Sequence, residues 1–261
     1  MPFSETIKSC SVRSGSVALA WLGQAGFIIK THKGKVVMID PYLSDFVYES
    51  LKDDYGDGFR RVAAPLFEPE EIDADILLCS HEHGDHLDLY ALPGIMKNPA
   101  ATCYTNAESC KLLAETDIDA KKVRTIKVGD EIDFGEFRLH VVPCDHGELT
   151  PEAMGFLLDF GFTKIYYSGD TAYNLPVLQT AINAKPSVAL LPINGMFGNL
   201  GAEEAAKLSS DLRAKICVPH HFWTFPLHGG DPMAAIEAFG RLAPDCKLML
   251  STPGKIEIIT D

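Results

Sequence analysis

A dense run of metal-capable side chains at residues 80–86, Ser-His-Glu-His-Gly-Asp-His, constrains the fold of this chain more than any other feature. The run directly follows an apolar stretch at residues 76–80, which is typical of a buried β-strand. Buried histidine and aspartate side chains without partners lose hydration without compensation, and an exposed loop gains nothing from three imidazoles. The run therefore predicts a metal site on a strand-to-helix connection, in preference to a chance polar loop.

The order of residues within this run predicts how they share metal ions. In an extended segment, His81 and His83 project on the same side of the backbone, so the two imidazoles can bind one ion. The chain then turns into a helix predicted over residues 87–96. This turn lets Asp85 and His86 bind a second ion a few ångströms away.

Three more metal-capable side chains each follow an apolar strand later in the chain. Side chains at the ends of separate strands can converge on one edge of a core. Taken alone, each has a structural explanation, because a histidine after a strand is often a surface residue and Gly-Asp-Thr often starts a helix. Their combination in this order, after the histidine-rich run, indicates ligation. The three residues are His146, Asp170 and His221.

The remaining pattern predicts a single mixed α/β (α+β) domain over residues 1–261. Strand clusters with interspersed helices favour two packed sheets with helices outside. Besides the helix over residues 87–96, helices are predicted over residues 107–114, with Asn106 as N-cap, and over residues 202–212 and 232–241. Strands are predicted over residues 17–21, 26–30, 35–39, 76–80, 131–134, 137–142, 154–160, 164–168, 188–192, 216–218, 247–250 and 256–259.

These residues resemble the metallo-β-lactamase superfamily, whose H-x-H-x-D-H motif is complete at residues 81–86. The later His, Asp and His also match in order. The resemblance implies a four-layer αββα sandwich with the metals at one edge, between the two sheets. It implies a binuclear site with one ion on His81, His83 and His146, the other on Asp85, His86 and His221, and Asp170 bridging.

Two further positions follow from the same resemblance. Asp40, at the end of an apolar strand, is similar to the acidic residue that braces the motif loop in the superfamily. His220 and His221 compete for the last ligand position, and the alignment of Pro219-His220-His221 assigns it to His221.

The ligand types predict both the metal and the mechanism. Imidazole-rich ligation without cysteine suits zinc, whereas the carboxylates also suit manganese or iron. Two divalent ions can lower the pKa of a bound water to about 7, so a metal-bound hydroxide would be the nucleophile. Ser80, Ser168 and Cys144 are then not needed as covalent catalysts. Asp85 and Asp170 are the predicted catalytic groups, because either can orient the hydroxide and pass its proton to the leaving group.

A narrower resemblance concerns the substrate. The segments at residues 21–27, 73–76, 167–170 and 214–221 are similar to the L-ascorbate 6-phosphate lactonase branch. In that branch a manganese-dependent enzyme opens the lactone ring of a phosphorylated ascorbate. The resemblance therefore implies a lactonase that acts on a small phosphorylated sugar-acid lactone, and it suggests a homo-oligomer.

Candidate substrate contacts lie near the predicted ligands or in positions that the lactonase resemblance marks. Arg60 and Arg61 fall where that branch has an arginine, and either could pair with a phosphate, although two adjacent arginines are equally typical of a solvated surface. Tyr173 and Phe197 could line the pocket or serve ordinary packing. The predicted contacts are Arg60, Arg61, Asn194, His220, Trp223 and His228.

Composition limits the alternatives. A formal net charge of −13 argues against sequence-independent binding to nucleic acid, and no apolar run is long enough to span a membrane. The start lacks a secretory pattern, which favours a cytoplasmic protein. The competing functions are a phosphodiesterase for cyclic nucleotides or short RNA, and a metal-binding sensor without turnover.

Overall fold

The computed structural model describes residues 1–148 and 150–261. Within these residues the chain carries two seven-stranded sheets with helices, so the predicted mixed α/β class is confirmed. The chain divides into two compact units, and the single-domain assignment stays a prediction. The first unit comprises Met1–Ile126, Thr224–Leu227 and Thr252–Thr260; the second comprises Lys127–Trp223, His228–Ser251 and Asp261.

The first unit holds the sheet that leads into the histidine-rich run. Its strands are β1 (Ser16–Gly23), β2 (Gly26–Lys30), β3 (Val36–Ile39), β4 (Ile76–Leu78), β5 (Thr102–Thr105), β6 (Val123–Thr125) and β14 (Ile256–Thr260). The order is β14-β1-β2-β3-β4-β5-β6. Pairs from β14 to β3 are antiparallel and pairs from β3 to β6 are parallel. Its helices are α1 (Phe3–Ser9), α2 (Phe46–Tyr55), α3 (Leu92–Ile95) and α4 (Ala107–Leu113).

The second unit holds the other sheet. Its strands are β7 (Glu131–Asp133), β8 (Arg138–Pro143), β9 (Met154–Asp159), β10 (Lys164–Tyr167), β11 (Val188–Pro192), β12 (Ile216–His220) and β13 (Lys247–Leu248). The order is β13-β12-β11-β10-β9-β8-β7. Pairs from β7 to β10 are antiparallel and pairs from β10 to β13 are parallel. Its helices are α5 (Leu175–Ala184), α6 (Ala202–Leu212) and α7 (Pro232–Leu242).

The central strands are buried on both faces. Every residue of β1, β2, β4 and β11 is buried, which explains why these segments appear as continuous apolar runs rather than as alternating patterns. The parallel pairing of these strands determines which of the predicted site residues are neighbours. The carboxyl ends of parallel strands lie at one edge of a sheet, so residues that follow β3 and β4 are neighbours, as are those that follow β10, β11 and β12.

All twelve predicted strands are present, as are the helices predicted over residues 107–114, 202–212 and 232–241. The sequence analysis missed α1, α2, α5, β5 and β6. Among the described residues no helix has the length and apolar character needed to cross a bilayer.

The helix predicted over residues 87–96 was wrong in its extent, because only Leu92–Ile95 is α-helical. The buried carboxylate of Asp88 accepts hydrogen bonds from the backbone N–H groups of Tyr90 and Ala91, each at 3.1 Å. These hydrogen bonds hold residues 89–91, just before the helix, in a turn. Pro93 then occupies the first turn of the helix, where its missing N–H costs nothing. Burial raises the pKa of Asp88.

Candidate metal site

The histidine-rich loop of the first unit folds as a tight turn and not as the extended segment predicted from the sequence. The backbone N–H groups of His86 and Leu87 both donate to the carbonyl of His83, at 2.9 and 2.7 Å. Residues 81–83, just before this turn, are bent rather than extended, and His81 Nε2 lies 3.1 Å from His83 Nδ1. The two imidazoles are therefore close enough to bind one ion, as the sequence predicts.

Gly84 lets this turn pack against α2. A Cβ at Gly84 would lie 2.8 Å from Phe46 Cδ1, so Gly84→Ala is expected to lower the free energy of unfolding by about 1–3 kcal/mol. Gly240 in α7 is the matched control, because among the described residues no heavy atom other than those of its chain neighbours and the backbone of its own helix lies within 4 Å of a Cβ there. Gly240→Ala should be neutral or stabilise by up to about 1 kcal/mol. Chemical denaturation measures both variants, and equal stabilities would contradict the close packing of the turn.

Asp40 braces the loop from the end of β3. Its side chain is fully buried, and its Oδ1 accepts a 2.7 Å hydrogen bond from the backbone N–H of Ser80. Oδ2 accepts from Ser80 Oγ and lies 2.6 Å from His86 Nδ1. A carboxylate on one ring nitrogen fixes the orientation of a histidine whose other nitrogen binds metal. This is the arrangement that the predicted bracing role requires.

The opposite edge of His86 faces Asp85. His86 Nε2 lies 3.7 Å from Asp85 Oδ2, and that same oxygen accepts a 2.8 Å hydrogen bond from Gln24 Nε2. The backbone N–H of Gln24 donates to Thr224 Oγ1 at 3.0 Å. Gln24 was missed as a functional residue, although it lies within the segment at residues 21–27 that carries part of the family resemblance.

The donor chemistry of this loop fits a divalent cation. Asp40, His81 and His86 each offer a ligand atom within 4.8 Å of the others, and imidazole nitrogens and carboxylate oxygens are the donors that zinc, manganese and iron accept. Both oxygens of Asp40 are engaged by Ser80. Asp40 therefore acts as a support, and the histidines are the candidate ligands.

In the second unit, Asp170 lies between two predicted histidine ligands. Asp170 follows β10, and its Oδ1 is 3.2 Å from His221 Nε2. Its Oδ2 is 3.8 Å from His146 Nε2. All three side chains are buried. One carboxylate oxygen thus faces each imidazole, a geometry that suits a bridging ligand.

Asn199 holds this carboxylate in place and was missed in the sequence. Its Nδ2 donates a 2.8 Å hydrogen bond to Asp170 Oδ2, and both residues are buried. Asn199 lies in the loop between β11 and α6, which the backbone hydrogen bond from Leu200 to the carbonyl of Thr171 ties to the residue after Asp170, at 2.8 Å. The only signal in the sequence was an asparagine in a glycine-rich loop.

His220 and His221 have different surroundings. His220 ends β12, and its ring stacks on Tyr167 at a centroid distance of 5.4 Å. His221 follows in a left-handed conformation (φ 59°), with Nδ1 2.9 Å from His220 Nδ1 and Nε2 toward Asp170. This orientation favours His221 as the ligand and His220 as its support. The prediction that His220 contacts substrate stays untested.

The other predicted contacts in the second unit include an aromatic group beside His221. The ring of His228 is 5.3 Å from His221 and 5.7 Å from Phe197, between centroids. Trp223 is exposed and Asn194 is buried after β11. Substrate binding by these residues stays a prediction.

Three side chains in or near the site make hydrogen bonds that give them a structural role. Ser80 Oγ donates to Asp40, and Ser168 Oγ donates to the carbonyl of Gly169 at 2.8 Å. Both serines are fully buried, and that neither is a nucleophile stays a prediction. The hydroxyl of Tyr173 donates to Asp211 at 2.6 Å, which indicates packing on α6.

A family model described as the beta-lactamase superfamily domain matches residues 18–221. This chain belongs to the beta-lactamase superfamily. The matched range contains every predicted metal ligand. The chain is 28% identical over 242 residues to a UPF0173 metal-dependent hydrolase of Hyperthermus butylicus, covering 90% of this chain and 96% of the relative. It is also 28% identical over 250 residues to one of Carboxydothermus hydrogenoformans, covering 92% and 99%.

Solved structures show that this superfamily member has a known fold. The metallo hydrolase Igni18 of Ignicoccus hospitalis aligns with a TM-score of 0.72 at 22% identity, covering 94% of this chain and 99% of that one. An isothiocyanate hydrolase from Delia radicum gut bacteria aligns with a TM-score of 0.75 at 20% identity, covering 94% and 100%. At this identity the likeness concerns the fold.

Proposed function

We propose that this protein is a metal-dependent hydrolase that opens the lactone ring of a small phosphorylated sugar acid such as L-ascorbate 6-phosphate. The observation that carries the hydrolase proposal is the carboxylate of Asp170, which has one oxygen toward His146 and the other toward His221. Membership of the superfamily and the names of the relatives, metal-dependent hydrolases, support it. The lactone and its phosphate come from the resemblance to the lactonase branch.

The proposed cofactor is a pair of divalent ions, zinc or manganese, with iron as a third candidate. When bound, such ions would polarise the scissile bond and lower the pKa of a water ligand. The division of the ligands between two ions stays a prediction of the resemblance. The residues proposed to hold the ions are His81, His83, Asp85, His86, His146, Asp170 and His221.

The protein's own side chains prepare this chemistry. Asp40 orients His86, Gln24 orients Asp85, and Asn199 orients Asp170. Asp85 or Asp170 would accept a proton from the attacking water and deliver it to the ring oxygen as that oxygen leaves. The acyl C–O bond of the lactone breaks, a new C–O bond to the water oxygen forms, and the products are a carboxylic acid and an alcohol.

The test is hydrolysis of L-ascorbate 6-phosphate by protein loaded separately with manganese and with zinc. We expect turnover with at least one metal, and its loss in Asp170→Ala protein that retains its circular dichroism spectrum. Absence of turnover with both metals, in protein shown to contain them, would contradict the lactonase assignment. Phosphodiesters would then be the next substrates, and a lack of turnover of any ester or phosphodiester would favour a sensor.

A further inference from the structure

Arg61 has an unusually fixed guanidinium group in the first unit. Its Nη1 donates to the carbonyl of Tyr42 at 3.0 Å, and its Nε donates to the carbonyl of Ala63 at 3.2 Å. The guanidinium carbon lies 4.7 Å from the centroid of the Tyr42 ring. Two backbone acceptors and a stacked ring leave the group little freedom, so its Nη edge points in a defined direction.

The charge of Arg61 has no ion-pair partner within the described part of the chain. Burial lowers its pKa, and Asp45 and Asp88 act on it only at longer range. Arg61 is half-buried, so its charge is less hydrated than that of an exposed arginine, and an anion beside it would be stabilising. The protein has a net charge of −13, so carboxylates are abundant, yet among the described residues none forms a salt bridge with this arginine. An anion from outside the chain would supply the missing partner.

Arg60, the adjacent arginine, is used differently. It is exposed, and its Nε pairs with Asp57 Oδ1 at 2.9 Å. Its guanidinium carbon lies 4.3 Å from the ring centroid of Tyr48. Arg60 thus has the solvated surface role that was the competing interpretation of this pair, and it provides a matched control for Arg61.

A chain of hydrogen bonds connects the neighbour of Arg61 to Asp85. The N–H of Val62 donates to the carbonyl of Thr224 at 3.0 Å. The hydroxyl of Thr224 accepts from Gln24, whose side chain donates to Asp85. These residues all belong to the first unit. The guanidinium is therefore built into the same framework as a predicted catalytic carboxylate.

Tyr42 contacts the guanidinium of Arg61 through the face of its ring. Its hydroxyl is fully buried, and burial raises its pKa, while Arg61 lowers it and Asp85 and Asp88 raise it. Both Arg61 and Asp85 therefore lie within electrostatic range of one hydroxyl. Phe225 packs edge-on against the same ring at 5.5 Å, which keeps the platform for the guanidinium rigid.

We infer that Arg61 binds an oxyanion of the substrate, a phosphate or a carboxylate, through its Nη edge. The planar guanidinium can donate two parallel hydrogen bonds to such a group. The inference rests on the proposed hydrolase function and makes Arg61 a specificity-determining residue. Arg60 takes no part in it.

The first test measures anion binding without turnover. Metal-loaded wild type, Arg61→Gln, Arg61→Lys and Arg60→Gln are titrated with inorganic phosphate and, separately, with acetate by isothermal calorimetry. We expect Arg61→Gln to weaken binding of the preferred anion about 10- to 100-fold, Arg61→Lys to weaken it less, and Arg60→Gln to change it less than about twofold. Equal phosphate affinity of Arg61→Gln and wild type would mean that only the metal ions bind the phosphate, and this result would overturn the inference.

The second test separates this inference from the proposed function. With L-ascorbate 6-phosphate, Arg61→Gln should raise KM by about 10- to 100-fold and leave kcat within a few-fold of wild type. Turnover with an unchanged KM would refute the anion subsite and leave the lactonase standing. Arg61-dependent phosphate binding without turnover would refute the lactonase and leave the subsite. If Arg61→Gln does not fold, Arg61→Lys replaces it in both tests, because lysine keeps the positive charge and lacks the planar guanidinium that donates two parallel hydrogen bonds.

Discussion

Replacement of Asp40 by alanine is expected to lower the free energy of unfolding by about 3–5 kcal/mol. The change strips a fully buried hydrogen-bonding group from the N–H and hydroxyl of Ser80 and from His86 Nδ1. Asp40 also has a φ of 43°, which alanine tolerates less well than aspartate. Urea denaturation followed by circular dichroism measures the change.

Asp40→Asn is the control for this prediction. Asparagine tolerates the left-handed backbone and keeps an acceptor for the Ser80 N–H, so it should recover part of the stability. It cannot supply the negative charge beside His86, so metal affinity should remain about 10- to 100-fold weaker than in wild type. Wild-type stability in Asp40→Ala would show that the loop does not depend on this carboxylate.

Replacement of Asp170 by alanine is expected to reduce hydrolysis to below about 1% of the wild-type rate and to lower the metal content. The two oxygens of Asp170 are the groups that face His146 and His221, so their loss removes a proposed metal ligand from between the two imidazoles. Steady-state kinetics and elemental analysis of the purified variant measure the two effects. A fully metallated and active Asp170→Ala protein would contradict the proposed site.

Asn199 offers a graded comparison at the same carboxylate. Asn199→Ala removes the 2.8 Å hydrogen bond to Asp170 Oδ2 and leaves the carboxylate itself. The expected loss of metal affinity or activity is about 10- to 100-fold, less than for Asp170→Ala. An Asn199→Ala protein indistinguishable from wild type would show that the position of Asp170 does not depend on this hydrogen bond.

The proposed anion subsite narrows the range of substrates. An arginine that is held by backbone carbonyls and has no ion-pair partner among the described residues favours substrates that carry a phosphate or carboxylate. The net charge of −13 repels such an anionic substrate, whereas Arg61 and the proposed metal ions attract it locally. We therefore expect the salt dependence of substrate affinity to come mainly from the interactions with Arg61 and the metal ions.

Several features of the site were predictable because they are local in sequence. The run at residues 80–86 predicted the proximity of His81 and His83, and strand ends predicted where His146, Asp170 and His221 lie. Asn106 as an N-cap was also predictable, since its side chain accepts from Ser109 only three residues away, at 2.7 Å. In contrast, the helix predicted over residues 87–96 failed because Asp88 holds the start of that segment in turns.

The sequence alone determined the two-sheet α/β class through its hydrophobic pattern, and it indicated the candidate ligands through the run at residues 80–86 and the strand ends. The resemblance of these motifs to the superfamily supplied the family and the order of the ligands. Only the tertiary structure distinguished Arg61 from Arg60 and revealed Gln24 and Asn199 as supports for the aspartates. Gln24 and Asp85 are 61 positions apart, and Asn199 and Asp170 are 29 apart. Such contacts depend on sheet order and loop paths, which bring distant side chains together and which no local pattern encodes.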